Sequence, residues 1–165
     1  IPFLNETLQP EVIVDSIVKR GCSYKIVLCD PSCESIIRSR ADAAGYDIDY
    51  YLLEIKTTLG YLQNVWRKLN AEGADFPSKL EVRAHNYFAA GSLIGFEQYY
   101  ILGFYLYNRI STQGMQIKVE RGVHIQPSTF FMELEKHFQK QWEVSYKDVI
   151  FFIDRPFELV QRNIS

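Results

Sequence analysis

The chain has 165 residues, of which 47% are hydrophobic and 23% charged, and its net charge is −2. This composition is that of a globular domain, and it excludes a disordered chain or one drawn to nucleic acid by its overall charge. No stretch approaches the roughly 18 consecutive apolar residues of a membrane-spanning helix. The three cysteines form no disulfide framework, so we expect a reducing, cytoplasmic compartment.

Helices and strands alternate in the first half of the chain. Apolar residues at three-to-four spacing predict a short helix over Pro10–Lys19 and a long one over Asp47–Asn70. Between them, Tyr24–Cys29 is a continuous run rich in β-formers, which is typical of a buried strand in a parallel sheet. Asp30 and Pro31 follow at once and predict a helix that begins there, with Asp30 as its cap, and runs to Ala44.

The second half of the chain is predicted to be mostly strands, with one helix over Thr129–Trp142 that Ser128 caps. The predicted strands are Lys79–His85, Ser92–Phe96, Tyr99–Tyr107, Met115–Val119 and Val149–Ile153. The last ten residues are predicted to form a tail or a short terminal helix. This order predicts an α/β fold with a single mixed sheet flanked by helices. The sequence begins at Ile1 without a methionine, so we expect one domain over residues 1–165 of a longer protein.

Three short stretches resemble a known family. VLCDP, then LEVRAHN after a long helix, then GFEQYYILGFYLYN resemble one half of the phospholipase D superfamily. They are more similar still to the degenerate phospholipase D-like domains found behind helix-turn-helix modules in bacterial regulators. The resemblance covers Gly21 to Trp142 and implies a phospholipase D-like half. It also implies a setting in bacterial regulation, stress response or phage defence.

The catalytic residues of the superfamily are missing at the matching positions of this chain. An active member of the superfamily carries His-x-Lys-x4-Asp, and its histidine attacks phosphorus while its lysine steadies the phosphoryl oxygens. If Gly103 is matched to the glycine after this motif, the acid falls near Glu97, the histidine near Ala90 and the lysine near Ser92. Alanine cannot attack phosphorus and serine carries no charge, while His85 lies five residues too early. The resemblance therefore implies a catalytically inactive domain that senses a ligand or partner and regulates an attached module.

Two alternatives to this interpretation stay open. The hairpin motif is also compatible with an ordinary hairpin on an unrelated α/β domain. A phosphodiesterase or nuclease with displaced catalytic residues is the enzymatic alternative. We therefore leave enzymatic activity undecided, with the balance against it.

A ligand pocket is predicted at the turn after the first strand. Ligands bind at the carboxyl ends of strands in open α/β sheets, and the following helix offers free amides to an anion. The predicted ligand-binding residues are Asp30, Ser32, Cys33, Arg38, Arg83, His85 and Glu97. In the plainer alternative Asp30 is only a helix cap and Cys33 only a structural cysteine.

The sequence offers little to other site classes. The spacing of its cysteines and histidines matches no zinc site, and it has no phosphate-binding glycine loop, so we expect neither metal nor cofactor. Basic residues are scattered among acids, so we do not expect this domain to bind nucleic acid. The Tyr99–Tyr107 strand is apolar on both faces, so either helices cover both faces or one face meets a partner. In the second alternative the chain forms a homodimer through this strand. The sequence does not identify the small-molecule or protein ligand.

Overall fold

The computed structural model describes residues 9–87, 91–104, 115–122 and 128–162, and in this part the chain forms four α-helices and two β-sheets. The helices are α1 (Pro10–Arg20), α2 (Glu34–Ala44), α3 (Ile48–Glu72) and α4 (Thr129–Val144). The strands are β1 (Tyr24–Cys29), β2 (Leu80–His85), β3 (Gly91–Gly95), β4 (Tyr99–Phe104), β5 (Gln116–Glu120), β6 (Lys147–Ile150) and β7 (Glu158–Gln161). A single 3-10 turn, Pro77–Lys79, leads into β2.

The first sheet has the strand order β1-β2-β6-β7. β1 and β2 are parallel and paired along their whole length, from Tyr24 opposite Leu80 to Cys29 opposite His85. β6 is antiparallel to β2, and β7 is antiparallel to β6. The sheet is therefore mixed, as predicted, and its two inner strands are β2 and β6.

The main core lies between this sheet and the helices α1, α2 and α3. Leu80 and Val82 of β2 are buried in it together with Ile17 of α1, Ile37 of α2 and Leu62 of α3. Leu80, Val82 and Ala84 are the residues that the alternating pattern assigned to one face, and all three are buried. This agreement reflects the period of two in a strand, which turns every second side chain to the same face.

The second sheet corrects the prediction of a single sheet. β3, β4 and β5 form an antiparallel sheet of their own in that order. A second, smaller core lies between this sheet and α4, and it contains Tyr100, Val119, Phe131 and Leu134. Strand patterns in a sequence report which residues are buried, but they carry no information about which strands share a ladder.

Local signals set most element ends where the sequence predicted them. Gly21 ends α1 in the left-handed conformation with φ 71°. The Asp47 carboxylate accepts a hydrogen bond from the Asp49 amide at 2.8 Å and begins α3. Ser128 accepts one from the Phe131 amide at 3.2 Å at the start of α4.

Three boundaries were predicted wrongly. The helix after β1 begins at Glu34 and not at Pro31, because the chain makes a turn first. The strand predicted over Val149–Ile153 lies at Lys147–Ile150. The supposed tail contains a strand, Glu158–Gln161, which pairs with β6. Residues 105–107 of the predicted Tyr99–Tyr107 strand lie outside the described residues.

Within the described ranges, no helix combines the length and the apolar character needed to cross a bilayer.

Candidate functional site

The candidate site lies where β1 and β2 end. Because the two strands are parallel, their carboxyl ends meet at one edge of the sheet, and the Asp30 amide donates to the His85 carbonyl at 2.8 Å. β6 runs the opposite way, so its first residues arrive at the same edge. The Tyr146 amide donates to the Ala84 carbonyl at 3.2 Å, and Lys147 is the register partner of Ala84.

Asp30 is the centre of this site. Its side chain is 0% exposed, and its carboxylate accepts four hydrogen bonds. Oδ1 accepts from the Ser32 amide at 2.8 Å and from the Ser32 hydroxyl at 2.7 Å. Oδ2 accepts from the Lys147 ammonium at 2.8 Å and from the Tyr146 hydroxyl. A carboxylate has about four lone-pair positions, so these donors saturate it. We call Asp30, Ser32, Tyr146 and Lys147 the Asp30 network.

The network holds Asp30 as an anion. Burial raises the pKa of Asp30, but the hydrogen bonds from Lys147, Ser32 and Tyr146 outweigh it and bring the pKa to about 2. Burial and the bond to Asp30 both raise the pKa of the Tyr146 phenol, so it stays protonated and keeps donating. Lys147 also lies 3.2 Å from the Ser32 hydroxyl oxygen. Asp30 and Lys147 therefore form an ion pair that joins β6 to the turn before α2.

His85 lies beside the network and is 7% exposed. Its ring stacks on Tyr87 at 4.1 Å between centroids and 27° between planes. Burial lowers the pKa of His85 to about 4, and the nearby charge of Arg40 acts in the same direction. The imidazole is therefore neutral at pH 7. Its Nδ1 atom is buried and has no hydrogen-bond partner among the described residues.

The two cysteines at this edge differ in position. Cys29 ends β1 as the register partner of His85, and burial raises the pKa of its thiol to about 11. A thiol with such a pKa is not a nucleophile at neutral pH. Cys33 directly precedes α2, and its amide donates to the Asp30 carbonyl at 3.0 Å. Its backbone thus closes the turn in which Asp30 bonds Ser32.

Three of the predicted ligand-binding residues lie elsewhere. Arg38 is on the exposed side of α2, where its guanidinium pairs with Glu34 at 2.7 Å. Arg83 is turned toward α4, where it donates to the Trp142 carbonyl at 2.9 Å and lies 3.7 Å from the centre of the indole ring. Glu97 is exposed in the turn between β3 and β4, in the second sheet. The structure brings together Asp30, Ser32, Cys33 and His85.

Sequence reasoning missed Tyr146 and Lys147. They lie 116 and 117 residues from Asp30 and follow α4 closely in the chain. A lysine at the start of a strand has no pattern that would distinguish it from a solvated surface residue. The nearest usable signal is Asp30 itself, since a carboxylate buried after a strand calls for a cationic partner.

In the part of the chain that the structure describes, no three histidine, cysteine or acidic residues lie close enough to hold a metal ion. At this edge, Nδ1 of His85 is an unpaired polar atom among the described residues, and an imidazole nitrogen can accept or donate one hydrogen bond.

Comparison with known proteins does not identify a family for this chain. No protein-family model, no curated protein and no solved structure matches the chain.

Proposed function

We propose that this chain is a non-catalytic sensing or interaction domain of phospholipase D-like topology, which binds a ligand or partner and regulates an attached module. The observation that carries the proposal is the saturation of the Asp30 carboxylate by four donors. A group held in this way has no lone pair left for a substrate.

The same saturation argues against acid–base work by Asp30. A general base is effective when its pKa lies near the working pH, whereas the pKa of Asp30 is about 2. Lys147 is committed to the same ion pair, at 2.8 Å. The network therefore acts as a rigid clamp that fixes the edge of the sheet and the start of α2, which suits a site that must present a constant shape to a ligand.

His85 supplies the contact that a ligand would use. Its Nδ1 is buried at the carboxyl ends of two parallel strands, where α/β folds generally bind ligands. Because the imidazole is neutral at pH 7, it would recognise a hydrogen-bonding group through one direct bond, without the cost of neutralising a charge. The ligand class that fits is a small polar molecule or a polar side chain of a partner protein.

The phospholipase D-like topology in this proposal rests on the sequence resemblance and on the β3–β4 hairpin. Ser92 and Glu97, which match the lysine and the acid of the superfamily motif, belong to one hairpin. Ser92 lies in β3 and Glu97 in the turn that follows it, so the matched positions fall on one strand–turn–strand unit, as the resemblance requires. Neither serine nor glutamate supplies the cation that a phosphoryl oxygen requires.

A phosphodiesterase with displaced residues is the second candidate, and one observation favours it. His85 is a neutral imidazole, as a nucleophilic histidine must be, and it is adjacent in β2 to Ala84, the register partner of Lys147. An imidazole and an ammonium thus lie at the same strand ends.

One experiment separates the two candidates. The protein is incubated with bis(p-nitrophenyl) phosphate and with DNA, with and without EDTA, beside the variants His85→Ala and His137→Ala. His137 is an exposed histidine on α4 and controls for adventitious catalysis by any imidazole. We expect no hydrolysis by any of the three proteins. Turnover that is lost in His85→Ala and kept in His137→Ala would replace the proposal with the hydrolase.

The binding half of the proposal is tested by thermal shift. A panel of nucleotides, sugar phosphates and amino acids is screened against the native chain and against His85→Phe, which keeps an aromatic ring over Tyr87. A ligand that raises Tm of the native chain and not of His85→Phe supports the site. A ligand that stabilises both proteins equally binds somewhere else and removes His85 from the proposal.

A further inference from the structure

The edge strands of the two sheets differ in how they are protected. Unpaired strand edges invite association with other strands, and charged side chains on an edge strand discourage it. In the described part of the chain, β1 carries Lys25, β7 carries Glu158, and β5 carries Lys118 and Glu120. β3 has the sequence GSLIG and is the one edge strand of the four without a charged residue.

The hairpin geometry tells which backbone groups of β3 face outward. The Phe96 amide donates to the Tyr99 carbonyl at 2.8 Å, so this pair is hydrogen-bonded across the hairpin. Hydrogen-bonded pairs alternate along an antiparallel ladder, so Ile94 and Ser92 also turn their backbone groups toward β4. The residues whose amides and carbonyls point away from β4 are Gly91, Leu93 and Gly95. No strand among the described residues lies on that side.

The outward-facing backbone groups of β3 can form hydrogen bonds with the same groups of a second copy. When a second β3 approaches in antiparallel orientation with the two-fold axis at Leu93, Leu93 faces Leu93 of the second copy. Gly91 then faces Gly95 of the second copy, and Gly95 faces its Gly91. All three are hydrogen-bonded pairs, so every outward amide and carbonyl finds its partner without a shift of register. Glycine at both ends leaves no side chain to obstruct the approach.

We infer that β3 is a homodimerisation edge, which joins two copies of the three-stranded sheet into one continuous antiparallel sheet. This inference deepens the proposed interaction function by naming the partner as a second copy of this chain. It is a different contact from the one predicted for the Tyr99–Tyr107 strand, which is through a face of the sheet. β4 lies in the middle of its sheet, and its residues Tyr100 and Leu102 pack toward α4.

The size of the edge predicts a weak and reversible dimer. Five residues from each copy would form about six backbone hydrogen bonds. The area buried by two such strands is well below the roughly 1,600 Å² of a standard stable interface. Association should therefore depend on protein concentration in the micromolar range or above.

Sedimentation velocity across a dilution series tests the inference. We expect the weight-average mass of the native chain to rise from 19.3 kDa toward twice that value as concentration increases. Ser92→Lys adds a charge to the edge at a half-exposed position and should weaken association by about tenfold or more. Val160→Lys adds the same charge to the edge strand β7 at an exposed position and should leave association unchanged.

A mixing experiment tests the register. Around the proposed axis Ser92 lies opposite Ile94 of the second copy, so a Ser92→Lys chain and an Ile94→Glu chain present opposite charges to each other. Each variant alone should be monomeric, and their mixture should form a heterodimer. Circular dichroism verifies that both are folded, and Ser92→Lys carries the test by itself if Ile94→Glu does not fold.

Two results would overturn the inference. One is a native chain that stays monomeric over the whole concentration range. The other is a dimer that Ser92→Lys weakens no more than Val160→Lys does. Either result leaves the ligand site at His85 untouched, because that site is tested by thermal shift and lies in the other sheet.

Discussion

Removal of the ammonium from the Asp30 network should destabilise the fold substantially. Lys147→Met keeps the length of the side chain and its apolar stem but removes the charge that lies 2.8 Å from Oδ2 of Asp30. Asp30 is fully buried, so water cannot take the place of the lost donor without rearrangement. The bonds from Ser32 and Tyr146 stay in place.

The loss of unfolding free energy in Lys147→Met depends on the hydrogen bonds that Asp30 still accepts. Breaking a buried ion pair by removing one partner costs about 3 to 5 kcal/mol, because an uncompensated charge is left behind. Three of the four hydrogen bonds to Asp30 persist, and the side chain of Lys147 is 20% exposed, so we expect the lower end of that range, about 3 kcal/mol. For a domain of this size that corresponds to a fall in Tm of about 6 to 12 °C.

Urea denaturation followed by circular dichroism measures this cost. The matched control is Lys19→Met, which removes an ammonium from an exposed i,i+4 pair with Asp15 and should cost no more than about 0.5 kcal/mol. The double variant Asp30→Asn/Lys147→Met should regain part of the loss, since no charge then stays buried. If Lys147→Met is as harmless as Lys19→Met, the Asp30 network does not hold the sheet edge together.

Three further predictions concern other parts of the chain. The folded pKa of His85 is about 4, below the roughly 6.5 of an unfolded chain, so protonation favours unfolding as pH falls through this window. Between pH 6.5 and 4, protonation of His85 should cost the native chain about 3 kcal/mol of unfolding free energy, and His85→Leu should not show this part of the decrease. Urea denaturation across this pH range is the measurement, and a variant whose pH profile equals that of the native chain would contradict the prediction. Gly95→Ala places a Cβ 2.4 Å from the Tyr100 ring and should cost about 1 to 3 kcal/mol by thermal denaturation. The control is Gly60→Ala in α3, where the added Cβ has no atom within 4 Å and the protein should be stabilised by about 0.5 to 1 kcal/mol. If the two variants change stability by the same amount, the steric argument is refuted. Gln63→Ala removes two hydrogen bonds to carbonyls of the loop between β6 and β7, at 3.1 and 2.8 Å, and should lower the unfolding free energy by about 1 to 2 kcal/mol. Hydrogen exchange of the loop amides should become faster, and exchange as slow as in the native chain would contradict this prediction.

The sequence predicted the elements whose signals are local. The long helix α3 repeats apolar residues over seven turns and has an aspartate cap, and its observed span Ile48–Glu72 contains nearly all of the predicted one. The parallel strands β1 and β2 were predicted at their observed bounds within one residue. In α3 and β2 the periodic pattern matches the observed burial, so propensity and burial agree. β1, predicted as a buried strand from its continuous run, is instead an edge strand in which only Leu28 is buried.

The features that were missed depend on distant parts of the chain. Nothing in the pattern of β3 to β5 reveals that, among the described strands, they pair with one another and pack on α4. β7 is too short and too exposed to produce an alternating pattern. At the site, sequence reasoning identified the Asp30 end of the ion pair and the adjacent His85. Lys147 escaped notice because a pairing over 117 residues has no local signature.

The late position of β6 in the chain has a consequence for biosynthesis. β2 is translated long before the strand that covers its second edge, and the whole of the second sheet and α4 is made in between. On the ribosome, the nascent protein therefore exposes an apolar strand edge and an aspartate whose countercharge has not yet been synthesised. Contacts of such long range form slowly, so folding of the first sheet should be completed only after β6 and β7 have been translated, and chaperone demand should be highest for the intermediate that precedes them.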